Sequence, residues 1–174
     1  ADMLHVVLDD IANQTYPNFN INIFEDGSTD NSDQIASEFA AKHPRCKVFR
    51  NRVNLGLVRN FNRALQHGDA DYVMFKSGND RLKPTFVEQV AEMLRANPSL
   101  GVAYARARPL SENGTTPPRS PKSIIFEQIV KMCSRRHLRS CTSMHWLHLY
   151  GVSTVVKFWK SAGHTHMLSV VIIY

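Results

Sequence analysis

Residues 25–32 read Glu25-Asp26-Gly27-Ser28-Thr29-Asp30-Asn31-Ser32 and follow the run Asn20-Ile21-Asn22-Ile23-Phe24. Ile21 and Ile23 alternate with Asn20 and Asn22, which predicts a strand over residues 20–25. Glu25 and Asp26 then fall at its carboxyl end, where α/β sheets bind ligands. Acids there can accept hydrogen bonds from a nucleobase or a ribose. They can equally serve the start of the next helix, near Thr29. A second polar loop, Ser77-Gly78-Asn79-Asp80, follows the apolar run Tyr72-Val73-Met74-Phe75. His145, His148, His164 and His166, with Cys133 and Cys141, raise zinc, but no tight ligand pair such as Cys-x-x-Cys accompanies them.

The elements that position these loops follow from periodicity. Leu4, Val7, Leu8 and Ile11 recur at helical spacing, which predicts a helix over residues 3–14. Pro17 ends it. Thr29 or Asp30 can cap the next helix, which carries Ile35, Ala36 and Phe39 inward and breaks at Pro44. Residues 47–50 form a short strand. Asn54-Leu55-Gly56 is a turn before a helix with Val58, Phe61, Ala64 and Leu65 on one side. Residues 72–75 are a buried strand. Pro84 suits the first turn of a helix carrying Phe86, Val87, Val90, Met93 and Leu94. Residues 101–105 are a further strand, 111–122 a loop or linker, and 124–138 a helix. The apolar end, 167–174, suits a buried strand or marks where a longer segment was cut. Alternating helices and strands over residues 3–106 predict a layered α/β fold. Its first element is a helix, so a strand is expected to be missing upstream.

Four stretches closely resemble family 2 glycosyltransferases, in order and at similar spacing. They are Gln14 to Phe19, Phe24 to Ser32, Asn54-Leu55-Gly56 through Arg59-Asn60 to Asn62, and Tyr72 to Pro84. The resemblance implies a layered α/β/α nucleotide-binding domain of the GT-A, Rossmann-like type. It implies that residues 1–110 bind the nucleotide sugar and that 123–174 form a basic, acceptor-side segment of the same domain. By the same resemblance Asp26 contacts the base, with Glu25 in place of the more usual Asp, and Arg59 lies near the nucleotide and diphosphate. A guanidinium can fork onto phosphate oxygens or stack on a base.

The chain departs from the family pattern at two places. Asn79 stands where a metal-binding acid is expected, leaving Asp80 to hold Mg²⁺ or Mn²⁺ against the diphosphate. An Asn carbonyl can ligate a hard cation but brings no charge. Lys76, Arg81 and Lys83 flank that loop and could neutralise a diphosphate instead. An inverting transferase also needs a general base for the acceptor hydroxyl. No acid follows Glu127, so no catalytic residue is assigned.

The net charge of +6 belongs to the C-terminal third. Residues 1–114 carry 13 Lys/Arg and 14 Asp/Glu, and residues 115–174 carry eight Lys/Arg and Glu127 alone. Such a face attracts phosphates or an anionic membrane surface. No nucleic-acid module is present in the sequence, so nucleic acid is not an expected partner. No apolar run approaches the roughly 20 residues of a membrane span. The start shows no basic region followed by an apolar run, so no signal peptide is expected. Three widely spaced cysteines fit reduced thiols. The expectation is a cytoplasmic domain, peripheral to the inner face of the membrane, that takes a nucleotide-sugar donor and a carbohydrate or lipid-linked acceptor. Self-association would cover an unpaired strand. The competing expectation is a remnant that binds a nucleotide or anion without turnover.

Overall fold

The computed structural model describes residues 3–67, 70, 72–78, 80–98, 100–110, 123–134, 156–157 and 168–173. Their elements are α1 (Leu4–Ala12), β1 (Phe19–Glu25), α2 (Ser32–Lys42), β2 (Cys46–Arg50), α3 (Leu57–Gln66) and β3 (Tyr72–Ser77). After these come β4 (Arg81–Leu82), α4 (Phe86–Ala96), β5 (Leu100–Leu110), β6 (Ser123–Ser134), β7 (Val156–Lys157) and β8 (Leu168–Ile173). One eight-stranded sheet runs β2-β1-β8-β3-β7-β5-β6-β4. The strands β2, β1, β8 and β3 are mutually parallel, and β7 is antiparallel to both β3 and β5.

Strand alternation sends successive side chains to opposite faces. On one face Ile21, Ile23, Met74, Leu168, Val170 and Ile172 pack with Leu4, Leu8 and Ile11 of α1, Ala36 and Phe39 of α2, and Phe86, Val90 and Leu94 of α4. On the other, Phe24, Val73, Phe75 and Val171 pack with Ala64 and Phe61 of α3 and with Phe49. The parallel part of the sheet, β2-β1-β8-β3, is thus covered by helices on both sides, as parallel strands require. The Phe24 and Phe49 rings stack at 4.7 Å.

The expected missing strand has a counterpart. Strand β8, from the far end of the sequence, lies between β1 and β3 and is parallel to both. Three other expectations change. Residues 123–134 form a strand, not the helix expected over 124–138, and pair antiparallel with β5. Ile124, Ile125, Ile129 and Val130 are β-branched, and long-range pairing decided what short periodicity could not. Val58 is 54% exposed rather than turned inward. Strand β4 was not anticipated. The capping expectation for α2 is met in part: Asn31 occupies the cap position without a side-chain bond, and the Ser32 amide donates to Asp30 Oδ1 at 3.0 Å. Ser32 holds the Asp30 carboxyl down to about 2. Residues 111–122 lie outside the described set.

Gln14 ties the start of α4 to the end of α1. Its Nε2 donates to the Asp10 and Lys83 carbonyls, both at 2.9 Å, and its Oε1 accepts from the Val87 amide at 3.0 Å. Thr15 adds its amide to the Pro84 carbonyl at 2.9 Å and its hydroxyl to Glu88 at 2.7 Å. A Gln14→Leu variant keeps the volume and strands all three partners. Its expected cost is about 2 kcal/mol, read by chemical denaturation.

Candidate functional site

Strand β1 delivers Glu25 and Asp26 to the carboxyl edge of the sheet. Asp26 is 8% exposed, and both its oxygens are engaged. Oδ1 accepts from Asn51 Nδ2 at 2.6 Å and from the Leu55 amide at 2.9 Å, and Oδ2 accepts from the Gly56 amide at 2.9 Å. Three donors offset the cost of burying that charge. They also gather residues 51–56 against the end of β1. Gly27 permits the approach. Its φ is +72°, and a Cβ there would sit 2.9 Å from the Asn54 nitrogen and the Val53 carbonyl carbon. No other residue type fits without moving the loop.

A buried polar network lies beneath the loop. Asn51 Nδ2 also reaches Asn60 Oδ1 at 3.1 Å, Asn60 Nδ2 donates to the Phe24 carbonyl at 3.3 Å, and Arg63 Nη1 donates to Asn51 Oδ1 at 2.6 Å. Sequence reasoning missed Asn51 and Arg63 and met Asn60 only inside a matching stretch. The available signal was the pair Asn60 and Arg63, one helical turn apart on α3.

Glu25 is fully buried. Its Oε1 accepts from the Ser28 amide, which closes the turn after β1. Its Oε2 lies 3.3 Å from Arg50 Nε, an ion-pair distance, yet makes no hydrogen bond. Arg50 also reaches Asp33 at 2.5 Å. Arg59 stands exposed in the first turn of α3, with no ion pair or hydrogen bond among the described residues. That turn contains no acid. Glu25, Asp26 and Arg59 therefore come from β1 and from the helix whose leading loop Asp26 holds.

The second loop is built differently from the expectation of three flanking cations. Lys76 is 1% exposed and donates to the Ser77 carbonyl at 3.2 Å and to the Asp80 carbonyl. It shapes the turn rather than facing solvent. Arg81 grips Asp10 with Nε at 2.6 Å and Nη2 at 2.9 Å. Asp10 also accepts from the Leu82 amide at 3.0 Å. Lys83 is exposed. Asp80 is 2% exposed, and Asn79 lies outside the described residues. Among the described residues no group of three or more His, Cys, Asp or Glu could hold a metal ion. His145, His148, His164, His166 and Cys141 lie outside them.

Burial pushes the Lys76 ammonium down to about 8, although Asp80 and Asp10 favour its charged form. Its folded value is below its unfolded value, so the unfolded chain binds more protons between pH 8 and 10.5. Stability from this group therefore rises with pH across that window. A Lys76→Met variant lacks this titration. Denaturant unfolding at pH 7 and pH 10 should show the parent gaining on the variant by on the order of 2–3 kcal/mol.

The model of the family described as Glycosyl transferase family 2 matches residues 1–152. A cholesterol galactosyltransferase of Borreliella burgdorferi is 30% identical over 99 residues, 57% of this chain and 27% of that protein. A chondroitin synthase of Escherichia coli is 28% identical over 136 residues, 77% of this chain and 20% of that protein. The solved mannosyltransferase of Pyrobaculum calidifontis, in complex with GDP-Man and Mn²⁺, superposes with a TM-score of 0.54 at 21% identity, over 61% of this chain and 32% of that one. This likeness shows the fold, a GT-A-like layered α/β domain. The matched region is about a quarter of the galactosyltransferase and a fifth of the chondroitin synthase. With the family model spanning most of its length, the chain belongs to glycosyl transferase family 2.

Proposed function

We propose that this domain binds a nucleoside diphosphate sugar at the carboxyl end of β1, and that it serves transfer of the sugar to an acceptor hydroxyl. The observation that supports the reading is the loop gathered by Asp26, which draws the amino end of α3, the helix that carries the exposed Arg59, toward the end of β1. Glu25 and Asp26 would meet the nucleoside, and Arg59 with the acid-free first turn of α3 would meet the diphosphate. The solved relative with GDP-Man and Mn²⁺ supports a donor of this class. The chondroitin synthase and the EpsE relative of Bacillus subtilis support polysaccharide assembly as its setting.

A divalent cation fits only in part. Asp80 is one carboxylate, and Lys76 already sits beside it. A hard cation can be held by one carboxylate when substrate phosphates supply further oxygens. In this reading Asp80 and the Asn79 carbonyl would hold Mg²⁺ or Mn²⁺ together with the diphosphate, and the cation would supply charge neutralisation for the leaving group. The basic segment 115–174 is proposed to lie on the acceptor side, against a carbohydrate or lipid-linked acceptor at an anionic membrane surface.

Thermal unfolding with UDP and GDP, each with and without Mn²⁺, tests donor binding, because a ligand of the folded state raises the midpoint. Arg59→Ala should leave stability within about 0.5 kcal/mol, as Arg59 is exposed. It should weaken diphosphate binding about tenfold or more, the value of a charge-assisted contact. Unchanged affinity in that variant would remove Arg59 from the site.

A second reading, nucleotide binding without turnover, is favoured by Asn79, which brings no charge to a cation. Asn79→Asp separates the two. A transferase with a weakened cation site should gain Mn²⁺-dependent donor hydrolysis, measured as released nucleoside diphosphate. A variant that binds Mn²⁺ and donor more tightly yet still releases none supports the second reading.

A further inference from the structure

We propose that β8 is a donor strand that two copies of this chain exchange when they fold together. Strand β8 is the last described element in the sequence, yet it fills an interior slot of the sheet, between β1 and β3. All six of its residues pair with both neighbours. Leu168, Val170 and Ile172 enter one core face and Val171 the other, each at most 1% exposed. Asn22 Nδ2 donates to Ser169 Oγ at 2.8 Å, a buried polar bond that marks this strand and fixes its register.

Strands β1 and β3, which form the slot, come from residues 19–77, and β8 reaches it from 168. Until it arrives, β1 and β3 present unpaired backbone groups to each other, and β8 exposes an apolar, charge-free strand. Each is a strong site for pairing with another chain. The nearest preceding described strand is β7, on the other side of β3, with Lys157 opposite Val73 and Leu168 opposite Tyr72. The two strands lie about 10 Å apart, two strand spacings, and ten residues of sequence separate Lys157 from Leu168, a length that extended chain carries to about 33 Å.

Docking of β8 in its own slot or in a neighbour's makes the same bonds, so the choice rests on concentration. A copy's own strand competes at an effective concentration on the order of millimolar. Copies that fold apart therefore close on themselves, and copies that fold crowded together exchange. Reciprocal exchange is self-complementary and closes as a two-fold dimer. Once formed, the dimer persists on dilution, because releasing β8 strips pairing from two interior strands at once.

The test refolds the full chain from denaturant over a range of concentrations, dilutes every sample equally, and measures mass by light scattering. The expected result is a dimer fraction that grows with refolding concentration and survives dilution. Two variants assign it to β8. Val171→Pro spoils the donor strand, and Ile23→Asp spoils the slot. Each alone should lack a cooperative unfolding transition, and refolding the two together should restore one, with mixed dimers. Monomer at every refolding concentration overturns the proposal. So does a dimer that Val171→Pro still forms, or a mixture of the variants that unfolds no better than its parts.

Discussion

Strands β1 and β3 run parallel without pairing directly, and most of the architecture depends on what fills the place between them. Each of these strands offers backbone donors and acceptors on both sides in a sheet that helices cover on both faces. Water cannot satisfy the inner row, so a strand must. Strand β8 supplies it, and with it the apolar side chains that α1, α2 and α4 pack on one side and α3 on the other. Its carboxyl end also lies between the ends of β1 and β3, where the two acidic loops begin.

The candidate site is assembled by polar atoms that the apolar scaffold leaves at that end. Asp26 draws in a loop, Asn51 and Asn60 fill the space beneath it, and Lys76 holds the turn after β3. Almost every one of these groups is buried, and each is satisfied chiefly by backbone atoms or by another member of the set. Arg59 is different, because it is exposed and holds no partner among the described residues. The charges that shape this end of the sheet are thus buried, while Arg59 stands at its surface.

Much of this was legible in the sequence. Helix α1, strands β1 to β3 and helices α2 to α4 follow from periodicity and from the breakers Pro17, Pro44 and Gly56. The family followed from four short stretches read in order. Other features were not legible, for physical reasons. Residues 123–134 carry apolar side chains at spacings that suit a helix or a strand, and only the pairing with β5 decides. That β8 would fill the place between β1 and β3 depends on a contact between residues about 150 apart, which no local pattern encodes. Arg81 was read as a free cation, because its partner Asp10 lies 71 residues away. Gln14 belonged to a recognised motif, yet its role as a brace between α1 and α4 needed coordinates.

The bonds at Asp26 have one further consequence. A ligand that borrows this carboxylate must share it with residues 51–56, so binding and loop placement become two entries to one equilibrium. Whatever free energy the ordered loop adds to ligand affinity, the ligand returns to loop order in equal measure. In the site proposed above, Gly27 and Asn51, which shape the loop, would then bear on affinity through the fraction of molecules whose loop is in place. Specificity in such a site would drift through substitutions in the scaffold while its contact residues stayed the same.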